Sequence, residues 1–450
     1  MLYNKDLEER ILEPVLHTGK KFYIFVSILI IIILGGAIAW IHQLQNGLGV
    51  TGLNQRVFWG VYITNFIFFI GISHAGTLIS AILRVAQAEW RKPLTRMAEV
   101  ITVIALLIGT SMVIVDMGRP ENIWLVPFKG RLLSPIFWDF VSISFYVTGS
   151  SLFLYLPMIP DIATLRDKYN EIPGFNLRKY MYRILALGWH GSHEQKERLE
   201  RNMGIMAILI IPIAVSVHTV ISWIFAMTWR VGWHSTIFGP YFVVGAIYSG
   251  IATIIFVMAL FRKIYHFEDI ITSEQFKYLG LLLLSFVGLY LYFTISEYLT
   301  SVYRGVDADV ELLEELIVGS YAPHFWIFFA GGMIIPGILL CIACWKSKSE
   351  LAIHTITFAA VLVIIGMWMK RFVIVVPSLA RPFVATFWTP YTPTWVEIVI
   401  TIASIAGFIL AYAIFSKLFP IISIWELMED NETKSANSLS KDEKKENVST

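Results

Sequence analysis

Two cysteines in 450 residues leave no basis for a disulfide framework, and they fall short of the four ligands that an iron–sulfur cluster needs. Charge is scarce too. Asp, Glu, Lys and Arg make up 15% of the chain, where a soluble domain carries about 25%. The 35 basic and 33 acidic residues leave a net charge of +2 with no basic stripe, which excludes a nucleic-acid partner. No phosphate-cradling glycine motif occurs. Cys341-Ile-Ala-Cys344 is followed by Trp345 rather than His, so covalent c-type haem attachment is unsupported. Only His74 and His218 lie deep enough to offer a pair of axial ligands. The expectation is a chain with no haem, no iron–sulfur cluster and no metal site.

Apolar residues are abundant instead. The chain is 56% hydrophobic, with 15 Trp, 19 Tyr and 31 Phe, and its mean hydropathy is +0.67. A bilayer core requires roughly 20 apolar residues in a helix. Ten runs qualify, at about 22–41, 58–82, 97–115, 136–157, 203–229, 238–261, 277–299, 323–345, 351–375 and 395–416. None alternates with a period of two, which favours helices over a barrel. The fold class is therefore all-α integral membrane, with about ten transmembrane helices. Residues 1–21 form an N-terminal segment and 22–428 the membrane domain, with one long loop at about 158–201. Residues 429–450, rich in Lys, Glu, Asn and Ser, form a disordered tail. The first apolar run follows a charged segment of twenty-one residues and is long enough to span, so it is expected to be an uncleaved helix rather than a signal peptide.

Lys and Arg fix the expected orientation. The termini and the loops after even-numbered spans carry 26 of the 35 basic residues, and the opposite loops carry 9. Both termini and the long loop are then cytoplasmic.

Ionisable groups inside a bilayer are costly unless paired or hydrated, so each is a candidate site residue. By depth, Asp116 and Arg119 (end of span three), Asp139 (start of span four), Glu297 (span seven), and Lys370 and Arg371 (span nine) fall near the outer surface. His218 falls in the outer half of span five, and His74 deeper in span two. This distribution suggests a pocket opening toward the outer interface, with His74 extending it inward as a proton relay. Bland roles compete: Lys370 and Arg371 can snorkel, Asp139 and Glu297 can cap or pair, and either histidine can simply join two helices. Pro212 and Pro336 are candidate kinks in spans five and eight.

Several strings resemble the NrfD-type family of polysulfide-reductase membrane subunits, especially its ten-span members such as the membrane subunit of alternative complex III. They are Phe58 to Arg84, Asp116-Met-Gly-Arg-Pro120, Ser134-Pro-Ile-Phe-Trp-Asp139, Pro157 to Arg166, Ser216-Val-His-Thr219, Gly232 to Phe238, Glu268 to Thr272, and Ile365 to Ile374. The resemblance implies two adjacent four-helix bundles, spans two to five and six to nine, with flanking helices. It implies a quinone or quinol site near the outer face, with menaquinone or another quinone as bound substrate. It also implies an iron–sulfur subunit docked on the periplasmic side, and further membrane, cytochrome or molybdoenzyme-like subunits. Asp116, Arg119, Asp139, His74 and His218 match motif positions, and Lys370 and Arg371 fall in the span-nine motif. In alternative complex III the Gly-Arg-Pro turn follows His-Val, where this chain has Asp116-Met117, and an acid stands in place of Lys370. These departures leave open which complex this is and which residue takes the quinol proton.

Quinol oxidation releases two electrons and two protons, so its site needs hydrogen-bond partners for both ring oxygens and a proton acceptor. Asp116, Asp139 and His218 suit the acceptor role, and Arg119 suits a carbonyl or carboxylate. His74, Glu297, Lys370 and Arg371 are relay candidates. Met117, Phe137 and Trp138 suit an apolar slot. The expected function is a quinone-binding subunit of an inner-membrane respiratory oxidoreductase, with possible proton translocation. The alternatives are a secondary transporter or ion-translocating module, and a purely structural anchor.

Overall fold

The structure, a computed structural model, describes residues 2–170, 177–345, 350–381 and 388–428. Among these no strand occurs, and ten helices are long and apolar enough to cross a membrane. They are α1 (Lys20–Asn46), α2 (Val61–Val85), α3 (Thr95–Asp116), α4 (Pro135–Asn170), α5 (His193–Ala226), α6 (Phe238–Ile264), α7 (Ser273–Arg304), α8 (Ala322–Trp345), α9 (Glu350–Ala380) and α10 (Trp395–Leu418). Each expected span falls on one of them. The tail from residue 429 lies outside the described residues.

α2 to α5 pack as one four-helix bundle and α6 to α9 as a second, with α6 and α9 laid against α2 to join them. α1 and α10 pair with each other on the flank of the first bundle. Burial follows this plan. α2 is almost entirely enclosed, whereas α1 exposes Tyr23, Ile24, Ile31 and Ile38 along its length. In a helix that must face lipid, this apolar exposure is the stable arrangement.

Small residues set the helix crossings. Gly332 of α8 meets Gly366 of α9 so closely that a Cβ on Gly332 would stand 2.7 Å from the Gly366 Cα. Gly250 of α6 meets the backbone of Ala75 in α2, where a Cβ would stand 2.8 Å from the Ala75 nitrogen. Such contacts bring backbones together where no side chain fits.

Two spans contain π-helical turns, Thr77–Ile82 in α2 and Ile327–Ile334 in α8. These wider turns break the regular hydrogen-bond ladder and often mark functional positions. Pro336 follows the second at once, while Pro212 lies within the continuous helix α5.

The stretch 158–201, expected as a loop, is largely helical. α4 runs on through a single 3₁₀ turn, Leu156–Met158, into Ile159–Asn170. A short helix Leu177–Leu185 follows, and α5 begins at His193, well before its apolar part. Hydropathy locates where a helix leaves lipid, not where it ends. The N-terminal segment is likewise helical over Leu2–Leu16.

Candidate functional site

The sequence-expected residues do not form one pocket. They fall into three groups, two near the end of the bundles where α3 and α7 terminate, called here the Asp116 end, and one in the interior.

In the first group, α3 stops because Gly118 adopts φ +65, where a Cβ would also stand 2.9 Å from Leu48 Cγ. Pro120 then opens a short 3₁₀ turn. This is the physical content of the Asp-Met-Gly-Arg-Pro string. Asp116 Oδ1 is buried and has no hydrogen-bond partner. The Tyr62 hydroxyl donates to Gln43 Oε1 at 2.6 Å, and Gln43 Nε2 donates to the Val115 carbonyl at 2.9 Å. Arg119 points to the exterior instead of joining Asp116. Asp139 is buried on α4 with its Oδ1 unpartnered. Of the three expected slot residues, Met117 and Phe137 are half-buried and Trp138 is exposed.

The second group belongs to the second bundle. Glu297 of α7 accepts a hydrogen bond from Ser235 Oγ at 2.5 Å. Lys370 of α9 is buried, and its Nζ donates to the Tyr298 hydroxyl at 3.1 Å. The same ammonium lies 5.1, 5.0 and 4.8 Å from the ring centroids of Tyr241, Tyr298 and Phe328, a three-sided aromatic cage. Glu297 and Lys370 face one small cavity of about 40 Å³. A helix outside the spans, Asp307–Ile317, covers it and contributes Asp309. Asp309 Oδ2 accepts from Arg304 at 2.7 Å, and His234 Nε2 stands 3.8 Å from it.

The third group bridges the bundles. The rings of His74 (α2) and His218 (α5) lie 3.9 Å apart, edge to face. The sequence count puts them at different depths; the structure makes them neighbours. His74 Nε2 pairs with the Ala214 carbonyl at 3.0 Å, while both nitrogens of His218 are unpartnered. Arg371, adjacent in sequence to Lys370, turns the other way. Its guanidinium enters the interface between the bundles, stacks 5.3 Å from the Phe242 ring, and leaves Nη2 unpartnered. Gly71 and Gly245 make room for it: a Cβ there would stand 3.5 and 3.3 Å from Nη2.

Several buried charges carry no clear signal in the sequence. Glu99 of α3 is buried with Oε2 unpartnered, and it lines a second, water-sized cavity of about 10 Å³ with Thr77, Thr102 and Ser150. Thr77 Oγ1 meets the Tyr146 hydroxyl at 2.8 Å, and the Tyr146 ring lies 5.6 Å from His74. Polar groups thus run from the histidine pair to Glu99. Glu397, fully buried, is satisfied by Tyr391, the Gly52 N–H and its own capping box. Arg96 and Asp161 form a buried ion pair at the opposite end. A single charge at the edge of an apolar run reads as a boundary, and that is how Glu99, Arg96 and Glu397 read. Among the described residues, no group of three or more His, Cys, Asp or Glu could hold a metal ion.

Two four-helix bundles sharing a face, flanked by a helix pair and threaded with buried ionisable groups, define a polytopic membrane protein. The chain belongs to the polysulphide reductase NrfD family, whose match covers residues 49–384. It is similar to a selenate reductase subunit of Mesobacillus selenatarsenatis, 26% identical over 90% of this chain and 95% of that protein. It is also similar to a putative dimethyl sulfoxide reductase membrane subunit of Halobacterium salinarum, 25% identical over 86% and 88%. The menaquinone reductase integral membrane subunit of Nitratidesulfovibrio vulgaris is 22% identical over 89% and 92%.

Proposed function

We propose that this chain is the quinone-reactive membrane subunit of a multi-subunit respiratory oxidoreductase in the cell inner membrane. It exchanges electrons between a menaquinone-class pool and an iron–sulfur subunit docked at the Asp116 end. The excess of basic residues at the other end makes the Asp116 end the outer, periplasmic face. The observation that carries this reading is the pair of buried, unpartnered carboxylate oxygens of Asp116 and Asp139 near that end, in a chain similar to a menaquinone reductase membrane subunit.

Oxidation of a hydroquinone breaks two O–H bonds, sends two electrons to the partner's redox centre and leaves two protons. Asp116 and Asp139 are the first acceptors, each offering an oxygen that no protein donor occupies. A route inward runs through the His218–His74 pair, Tyr146 and Thr77 to Glu99. This makes proton translocation a second activity of the same chain. The same route also supports an ion-translocating module without quinone chemistry.

Quinol:acceptor turnover by the purified complex separates the two. Asp139→Asn and Asp116→Asn are expected to lower turnover at least tenfold while the complex stays assembled. Full turnover in both variants sinks the assignment of these acids. A wild-type complex that neither binds nor oxidises quinol sinks the quinone reading and favours the ion-translocating one.

A further inference from the structure

We propose that the cavity opposite the Asp116 end, where the segment after α10 meets the end of α2 and the start of α3, is the mouth of the proton route, and that Glu426 exchanges protons there with bulk water. The proposal rests on the proton-translocating part of the reading above and extends the route from Glu99 to the aqueous phase.

The mouth is built on an anchor. Arg96 meets the Pro420 carbonyl at 3.3 Å and Ser423 Oγ at 3.2 Å, and Asp161 accepts the N–H groups of Ile424 and Trp425. Trp425 Nε1 donates to the Pro157 carbonyl at 3.0 Å. Glu426 is the next residue, so the anchor sets its direction. Its side chain is 4% exposed, yet it lines a cavity of about 260 Å³ with Arg84, Arg91, Lys92, Glu200 and Trp425. Glu200 of α5 is exposed and forms the rim. The space is polar and large enough for a cluster of waters, each of which takes about 30 Å³ in the liquid.

Glu426 has an open valence in this space. Its Oε1 takes one long hydrogen bond from Arg84 Nη2 at 3.4 Å. Its Oε2 has none, with Arg91 Nη1 standing 3.9 Å away. The signs of the walls select the occupant. An anion would meet two carboxylates, and a metal cation would meet three basic side chains. Water meets neither penalty and can donate to Oε2. A hydronium in the cavity gives its proton to Oε2, forming an O–H bond there and leaving water behind. No electron moves, and the reverse step returns the proton. Arg84 and Arg91 balance the carboxylate charge whenever the proton is absent.

Arg91 also ties the cavity to the interior. Its Nη1 donates to Thr95 Oγ1 at 3.1 Å, and the Ser80 hydroxyl donates to the Thr95 carbonyl at 3.2 Å. Thr95 stands one helical turn before Glu99, on the same face of α3. Ser80, Thr95 and Glu99 are all buried, so a polar seam crosses apolar packing from the Glu426 cavity to Glu99. Trp425 and Glu426 lie beyond residue 384, where the family match ends.

The test follows protons crossing sealed vesicles that hold the assembled complex and a trapped pH dye. One series is driven by quinol, the other by an imposed potassium diffusion potential. Glu426→Gln should lower the proton flux about tenfold in both series, while the complex stays assembled and quinol turnover persists. Glu426→Asp should restore most of the flux. Glu200→Trp narrows the mouth from its exposed rim and removes no buried group. It should slow the same flux, and it carries the test should Glu426→Gln fail to assemble. Wild-type flux in Glu426→Gln, or in Glu200→Trp where that variant stands in for it, overturns the mouth. A loss of flux that Glu426→Asp does not restore, and that follows a matching fall in thermal midpoint, also overturns it and makes Glu426 a staple. Quinol turnover by wild type with no proton crossing under either drive overturns the mouth and keeps the quinone reading. Proton flux under the potential with no quinol turnover is the separate failure of the quinone reading, and the Glu426→Gln comparison then decides the mouth by itself. Neither flux nor turnover in wild type overturns both.

Discussion

The two ends of the membrane domain each bury charge, and they do so in opposite ways. At one end Arg96 bonds to Asp161, to the carbonyls of Pro157, Pro420 and Ile422, and to Ser423 Oγ. Asp161 in turn accepts the backbone N–H groups of Ile424 and Trp425 at 3.1 and 3.2 Å. The pair pins the segment after α10 against the start of α3 and the turn within α4. At the other end Lys370 and Glu297 have one hydrogen bond each to a side chain and share a cavity with an unpartnered Asp309 oxygen. Burial alone does not distinguish structure from function here. What distinguishes them is how many valences the protein fills: both Nη nitrogens of Arg96 and both oxygens of Asp161 are bonded, with Arg96 Nε alone left over, whereas the Lys370 end leaves most of its valences open.

The most forceful way to break this contrast is to remove one partner at each end. Asp161→Ala leaves a buried guanidinium without its carboxylate and frees two backbone donors, a loss of about 3–5 kcal/mol. The thermal midpoint of the detergent-purified complex should fall steeply, and the chain should assemble poorly. Lys370→Met removes the cation but keeps a chain of similar length, so stability should shift by no more than about 1–2 kcal/mol. Quinol turnover should nevertheless drop. Equal destabilisation by the two variants would mean that the Lys370 end is also a structural staple.

His218 offers a sharper, smaller test. Both of its nitrogens are unpartnered, so His218→Phe keeps a ring beside His74 and removes two unsatisfied polar atoms. Stability should be unchanged or rise by up to about 1 kcal/mol. Proton uptake coupled to turnover, followed in sealed vesicles, should fall while uncoupled turnover persists. A large loss of stability would identify the histidine pair as packing rather than relay. Glu99→Gln, further along the same route, should reproduce the uncoupling with no loss of assembly.

The ten spans and the two-bundle division are legible in the sequence because each depends on a long apolar run or on a family string. Asp116, Asp139, His218, Glu297 and Lys370 are legible too, since an ionisable group inside such a run is conspicuous. How they group is not. A depth count follows position along a helix axis but not rotation about it, so it cannot show that Lys370 and Arg371 face opposite ways. Nor can it show that Arg119 points outward. Asp309 and the helix that carries it lie between spans, where hydropathy gives no signal. The π-helical turn just after His74 shifts the facing of everything beyond it, and no residue pattern in α2 announces it.

The smallest expected effect completes the contrast from the exposed side. Arg262 and Glu350 form a well-made pair, with Nη2 to Oε1 at 2.8 Å and Nη1 to Oε2 at 3.2 Å, but the glutamate side chain is 65% exposed. Water and salt screen such a pair, and holding two long side chains in register costs entropy, so exposed pairs contribute only about 0–1 kcal/mol. Glu350→Ala should therefore shift the midpoint by a degree or two at most. The shift should shrink further as ionic strength rises past about 0.15 M, where charges are screened over about 8 Å. Asp161→Ala, whose partner is enclosed, should show the same loss at every salt concentration. A salt-independent drop from Glu350→Ala comparable to that of Asp161→Ala would mean that bidentate geometry, rather than enclosure, decides which ion pairs hold this fold together.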